Sequence, residues 1–155
     1  RNVFEPLDRE AVAEIWISRF AMPESVFSGY IFFRKAKSIW AISDSELPPL
    51  SYEAIGMRIM NCKDRPWKPT TCALQVFGPY AEKNTMHLQP ASARLFMEGK
   101  TQEVDAVTAE QCESGYVVVF YRGDVLGCGL YSHGKLVSQI PKERRLAERD
   151  GEDIS

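Results

Sequence analysis

The chain has 155 residues, of which 45% are hydrophobic and 26% charged, a composition typical of a globular protein with one ordinary domain or two small ones. No apolar run approaches the ~20 residues that cross a bilayer, so we expect no membrane span. The formal net charge of −2 argues against strong non-specific affinity for nucleic acids.

The first third of the chain predicts one helix followed by a β-hairpin. Asp8 is a suitable N-cap for a helix that continues through Phe20, with apolar residues at helical spacing. Residues 30–33 and 39–43 predict two strands joined by a polar, positively charged turn. Two prolines at 48 and 49 predict a boundary near residue 50. We therefore expect residues 1–50 to form a small α/β segment that docks on the rest of the chain.

The middle of the chain predicts short elements separated by turns. Alternating apolar residues indicate a half-buried strand at 55–60. Pro69 and Gly78 suit the start and the stop of a helix, and Pro90 and Gly99 suit those of a second one. Shorter strands are expected at 85–88 and 100–104.

The segment 115–145 predicts three strands and ends in a basic cluster. Turn residues at 122–124 and 132–135 separate apolar runs at 116–121, 125–131 and 136–140. Gly127 and Gly129 lie two residues apart and so on one face, where we expect a partner's backbone or base edge to approach closely.

Together these elements predict an α+β protein. Because short strands with glycine-rich turns bury their apolar faces best when the sheet curls on itself, we expect a small mixed β-barrel with short helices over residues 51–145. The charged residues 146–155 lack an apolar stripe and are expected to form a flexible tail.

Positive charge is concentrated in two separate segments. Residues 55–72 contain four basic and one acidic residue, and residues 115–145 contain five and two. We interpret these segments as one basic face for an anionic partner, provided that the fold brings them together. Each charge taken alone is more often simply solvated.

Cysteine and histidine usage predicts no metal site. The four cysteines show no C-x-x-C spacing, and only His87 and His133 could assist them. Cys72 and Cys128 lie in apolar segments and are expected to be small core residues, and reduced thiols indicate a cytoplasmic protein. Neither histidine has a neighbour at a catalytic spacing, so we expect no catalytic residue and no cofactor.

Several local motifs occur in a recognisable order. Arg58 on a strand is followed by Lys68-Pro69-Thr70 before a short helix, then by Phe96 and Gly99-Lys100. After these come the strands 115–119 and 126–129, and the stretch from Lys135 to Lys142. This pattern resembles a PUA-like RNA-binding domain, and more narrowly the C-terminal domain of Sun-type RNA cytosine-5 methyltransferases. The first 50 residues are similar to the pre-PUA segment of archaeal relatives, some of which are stand-alone proteins of this length.

Two departures from the family pattern occur near the end of the resemblance. Ser138-Gln139 replaces the usual Lys-Asn, and Glu143-Arg144-Arg145 replaces an aromatic-arginine ending. The RNA contacts that the family makes at this end are therefore in question.

The resemblance implies a non-catalytic RNA-binding protein. The catalytic half of such methyltransferases needs a glycine-rich loop opening a helix and a nucleophilic cysteine. Here Gly127-Cys128-Gly129 lies between strands, and no Pro-Cys pair occurs. We expect tRNA or rRNA as partner, with a role in RNA modification or ribosome biogenesis. The alternative is an adaptor that docks on an RNA methyltransferase without binding RNA itself.

The candidate RNA-binding residues are cations for phosphates, glycines for close approach and aromatic rings for stacking. Trp67 and Tyr131 are further stacking candidates, with core packing as an equally good explanation for Trp67. The full set of predicted RNA-binding residues is Arg58, Lys68, Lys100, Tyr121, Arg122, Gly127, Gly129, Lys135, Lys142, Arg144 and Arg145.

Overall fold

The computed structural model describes residues 4–43 and 56–148. Within these ranges the chain forms two five-stranded β-sheets and three α-helices. No helix in the described part is long and apolar enough to cross a membrane. The mixed α/β class predicted from the sequence is confirmed.

The first sheet is antiparallel throughout, and its strands lie side by side in chain order. The hairpin expected from the sequence is its centre, with Phe32 opposite Ala41. Its strands are β1 (Glu5–Leu7), β2 (Tyr30–Lys35), β3 (Ser38–Ser43), β4 (Met57–Asn61) and β5 (Lys68–Pro69).

The helix α1 (Arg9–Phe20) lies where the sequence predicts it. Asp8 has the extended backbone of an N-cap, although its side chain makes no capping bond. Val12, Trp16 and Phe20 recur at helical spacing and are buried, so the apolar stripe faces the core.

The helix α2 (Thr71–Phe77) begins two residues later than the sequence predicts. Thr70 is its N-cap, because the Thr70 Oγ1 accepts a 3.1 Å bond from the Ala73 N–H. The prediction that Pro69 occupies the first turn is wrong, since Pro69 pairs with Met60 as part of β5.

The second sheet has the order β6-β8-β9-β10-β7. Strand β6 pairs with β8 in parallel, and the other neighbours are antiparallel. Helix α3 (Pro90–Met97) connects the two edge strands. The strands are β6 (Thr85–His87), β7 (Thr101–Glu103), β8 (Gly115–Tyr121), β9 (Asp124–Ser132) and β10 (Lys135–Ser138).

Strand β8 is buried on both faces and divides the interior into two cores. Val118 and Phe120 pack towards the first sheet, α1 and α2. Val117 and Val119 pack on the opposite face with Phe96 of α3. A strand covered on both sides needs apolar residues at every position, which explains why its sequence is continuously apolar rather than alternating.

The second sheet is not the closed barrel that the sequence suggests. In the described part, β6 and β7 are its edges and do not pair with each other. Each is only three residues long. Helix α3 packs between them instead, with Phe96 fully buried, so it covers the apolar face that closure would have covered.

The boundary predicted near residue 50 lies outside the described residues. On either side of it, β3 and β4 pair in the same sheet. The start of the predicted tail is held against α3: the Leu146 N–H donates to the Met97 carbonyl at 2.9 Å. Residues 149–155 of that tail also lie outside the described part.

Candidate nucleic-acid interface

A shallow groove of about 130 Å³ lies where the two basic segments of the sequence meet. Arg58 of β4 and Lys68 of β5 contribute one side, and Gln139 and Pro141 contribute the other. We name it the cationic groove, together with Lys142 and Arg144, which follow Pro141 in a 3₁₀ turn. The complete lining is Arg58, Asn61, Lys68, Pro69, Thr70, Thr71, Gln139 and Pro141.

Hydrogen bonds fix the two sides of the groove. Thr70 ties β4 to the start of α2: its N–H donates to the Ile59 carbonyl at 3.0 Å, and its Oγ1 donates to the Arg58 carbonyl at 2.7 Å. Gln139 is held on the second sheet by a 3.0 Å bond from its N–H to the Cys128 carbonyl. Both walls therefore rest on sheet strands rather than on loops.

Among the described residues, no carboxylate forms an ion pair with the positive charges of the groove. Within residues 4–43 and 56–148, no ion pair involves Arg58, Lys68, Lys142 or Arg144. The guanidinium of Arg144 lies 3.9 Å from the Sγ of Cys72, at the first turn of α2. Arg144 thus reaches across to the segment that carries Lys68.

The positive charge of Lys68 acts on the thiol of Cys128 in the second sheet. Burial raises the pKa of the Cys128 thiol to about 12, and the positive charges of Lys68 and Arg19 oppose this rise. This thiol is therefore neutral at physiological pH, as expected of a small core residue. Cys72, in contrast, is exposed, so its predicted core role is wrong: it lies on the outer side of α2.

Two of the predicted cations make bonds at or beside residues 145–148. Lys100 is bonded to Glu148 and lies 3.8 Å from Glu98, and the bond to Glu148 raises the pKa of Lys100. Arg145 donates from Nε to the Ile140 carbonyl at 2.9 Å, and its side chain covers Gly99. Neither residue lines the groove.

Three other predicted residues lie at the end of β8 or at the start of β10. Lys135 begins β10 opposite Glu103 and is four residues, or about 13 Å of extended strand, from Gln139. Tyr121 and Arg122 form the turn between β8 and β9, where the guanidinium lies 5.3 Å from the centre of the tyrosine ring. None of the three lines the groove.

The glycine surface predicted to admit a nucleotide is covered by protein. A Cβ at Gly127 would lie 2.7 Å from the Ile140 Cδ1, and one at Gly129 would lie 2.5 Å from the Leu136 Cδ1. Both glycines are buried. Their close approach is therefore to core side chains of β10 and the residues that follow it, and a contact of these glycines with RNA stays a prediction.

The substitution Gly129→Ala tests whether this glycine is required by core packing or by the approach of RNA. We expect the substitution to lower the free energy of unfolding by about 1–3 kcal/mol, because the added methyl overpacks the core against Leu136. Gly29→Ala is the matched control, since nothing lies within 4 Å of its Cβ position. Urea denaturation measures both. Native stability combined with weakened RNA binding would instead support the role predicted from the sequence.

Three polar residues that complete the groove, Asn61, Thr70 and Gln139, are not among the predicted binding residues. Thr70 and Gln139 lie in the stretches that carry the family resemblance, and an N-cap threonine before α2 is a detectable signal. Trp67 lies outside the groove and lines a neighbouring apolar cleft. Of the two histidines, His87 stacks on Phe120 with ring centres 4.7 Å apart, and His133 contacts Ser132.

Within the described part, no group of three or more histidine, cysteine, aspartate or glutamate side chains could hold a metal ion. The groove therefore offers cationic and neutral hydrogen-bonding groups. Such a surface suits the binding of an anion.

The second sheet and its helix define a PUA-like domain. Residues 83–146 match the family model described as the PUA domain of the methyltransferase RsmF. The domain resembles the C-terminal domain of Sun-type methyltransferases, as the motifs suggested. The match covers a PUA domain and not a catalytic domain, and it spans less than half of the 155 residues. A comparison with curated proteins gives no match.

Proposed function

We propose that this chain is a non-catalytic RNA-binding protein that recognises structured RNA, tRNA or rRNA, through the cationic groove. Its role lies in RNA modification or ribosome assembly, in association with an RNA methyltransferase system. Phosphates bind in the groove, and the neutral side chains of Asn61, Thr70 and Gln139 supply hydrogen bonds to sugar or phosphate oxygens.

One observation carries the proposal: cations more than 70 residues apart in the sequence line or flank one groove, and none of them has an ion-pair partner among the described residues. Arg58 and Lys68 come from the first sheet, while Lys142 and Arg144 follow the last strand of the second. A chain with net charge −2 has no general excess of positive charge, so such a concentration calls for a local partner. A polyanion provides closely spaced charges that fit it.

The family match supports the same conclusion from a different direction. The matched family is the PUA domain of an RNA-modifying methyltransferase, and its range begins at residue 83. Lys142 and Arg144 lie inside this range, whereas Arg58 and Lys68 lie before it. The groove is therefore built jointly by the PUA-like domain and the sheet that precedes it, which suggests that both parts bind one RNA.

Titration of labelled tRNA at two salt concentrations tests the proposal. With about four phosphate contacts, we expect affinity to fall roughly 50- to 150-fold between about 50 and 200 mM salt, since each contact releases counterions. The measurement is fluorescence anisotropy at each concentration. Absence of binding at the lower concentration would reject RNA binding and leave the adaptor role as the explanation of the family match.

A further inference from the structure

An apolar cleft of about 150 Å³ lies between α1, β5 and the start of β8. Its walls include Trp16, Phe20, Trp67 and Tyr116, and we name it the aromatic cleft. Trp16 and Phe20 are buried, whereas Trp67 and Tyr116 are partly exposed and offer ring surface to a flat apolar ligand.

The cleft has cationic and unsatisfied groups beside it. The guanidinium of Arg65 lies 4.9 Å from the centre of the Trp67 ring. Arg19 lines the cleft and is held by two bonds, from Nε to the Tyr116 carbonyl at 3.0 Å and from Nη2 to the Glu113 carbonyl at 2.9 Å. Trp16 is 1% exposed, and its Nε1 has no hydrogen-bond partner in the described part.

The aromatic cleft and the cationic groove are separated only by β5. Trp67 immediately precedes β5, and Lys68 is its first residue. Trp67 lines the cleft, Lys68 lines the groove, and Pro69 contributes to both. An aromatic site and a phosphate site therefore lie one strand apart.

We propose that the aromatic cleft receives one unstacked nucleobase of the RNA whose phosphates lie in the cationic groove. This inference rests on the proposed function and adds a base-binding site to it. A nucleotide joins a flat aromatic base to an anionic phosphate through a sugar, which is the combination of groups that the two sites offer. Stacking on aromatic side chains tolerates any base, so the site favours unpaired nucleotides over a particular sequence.

An apolar side chain of a partner protein is the competing occupant. The cations on both sides of the cleft favour the nucleotide: Arg65 lies over the Trp67 ring, and Lys68 and Arg58 lie across β5. A peptide side chain would fill the cleft without using these charges, whereas a nucleotide uses both the rings and the charges.

The experiment compares a short unstructured RNA with the same ribose–phosphate chain lacking its bases. We expect the wild-type protein to bind the RNA roughly 5- to 100-fold more tightly than the base-free chain. Trp67→Leu should abolish this preference, and Trp67→Phe should retain most of it, because only the aromatic ring stacks. All three proteins should bind the base-free chain equally, since the groove is unchanged.

A second pair of variants acts at the rim of the cleft without removing a packed ring. Ser114 is exposed and lines the cleft, so Ser114→Trp should obstruct it and remove the preference for RNA with bases. Ser114→Ala is the control and should behave as the wild type. Thermal melting establishes that each variant is folded, which keeps the comparison valid if Trp67→Leu is destabilised.

The outcomes separate this inference from the proposed function. Salt-sensitive binding of both chains, with a base preference that survives both Trp67→Leu and Ser114→Trp, would overturn the base site and leave the proposed function standing. Failure of both chains to bind at low salt would overturn the proposed function itself. Unchanged RNA binding, with loss of binding to a Sun-type catalytic domain in the cleft variants, would assign the cleft to a protein and also overturn the inference.

Discussion

Reversing the charge of Arg58 and Lys68 together is expected to weaken binding to tRNA by roughly 10- to 100-fold at low salt. Both residues line the cationic groove. Neither has an ion-pair partner in the described part, so the substitutions break no ion pair there. The double variant Arg58→Glu with Lys68→Glu removes two cations and adds two anions at the place where phosphates bind.

The salt dependence gives a sharper measurement than the affinity alone. Removing two phosphate contacts should reduce the slope of log affinity against log salt concentration by about two. The control is Arg122→Glu with Lys135→Glu, which changes the net charge of the protein equally but at the β8–β9 turn and at the start of β10. We expect the control to keep most of the affinity and the full slope.

Equal loss of affinity in the two double variants would contradict the assignment of the groove. Binding would then follow the net charge of the protein rather than the convergence of Arg58 and Lys68 with residues 139–144. The exposed thiol of Cys72, beside Arg144, provides an independent check. RNA should slow its alkylation in the wild type and in the control variant, but not in the groove variant.

Replacing Phe77 with alanine is expected to lower the free energy of unfolding by about 3–5 kcal/mol. The ring is 1% exposed and lies between the two sheets, with ring centres 5.5 Å from Trp16, 5.0 Å from Phe27 and 5.4 Å from Tyr30. Truncation removes these contacts and leaves a cavity that the surrounding rings cannot fill.

Urea denaturation followed by two probes measures this effect and also tests whether the sheets unfold together. Trp16, Trp40 and Trp67 lie in the first half of the chain, so their fluorescence reports mainly on that part. Far-ultraviolet circular dichroism reports on both sheets. Because one core contains residues of both, we expect the two probes to give the same midpoint.

Val76→Ala is the matched control for this prediction. Val76 is the neighbouring residue on α2, but it is 42% exposed, so its truncation should change the free energy of unfolding by less than about 0.5 kcal/mol. Phe77→Leu provides a smaller change if the alanine variant is too unstable to measure. A fluorescence midpoint well below that of circular dichroism would contradict a shared core and indicate two independently folding units.

The strands and helices could be predicted because their signals are local. The helical spacing of Val12, Trp16 and Phe20 is sufficient to place α1. Turn residues such as Arg122 and Gly123 mark the end of β8, whatever the strand packs against. The start of α2 was misplaced because Pro69 suits both an edge strand and a first helical turn, and only the capping bond of Thr70 decides between them.

The candidate site was only partly predictable, because positive charge in a sequence does not reveal its neighbours. Lys68 and Lys100 look equivalent in the chain. In the structure Lys68 lines a groove, whereas Lys100 is bonded to Glu148, which comes from a segment 48 residues away. Similarly, the spacing of Gly127 and Gly129 places them on one face, but it cannot say that Ile140 and Leu136 cover that face.

The sequence alone determined the alternation of short strands and helices, the PUA-like character of residues 83–146 and the existence of two basic segments. Only the tertiary structure decided that the sheet stays open, that the glycines face the core, and that Arg58 and Lys68 line one groove with Gln139 and Pro141. The physical reason is range: periodicity, capping and turn chemistry act over a few residues. The meeting of Arg58 with residues 139–144, in contrast, depends on how two sheets pack around α2.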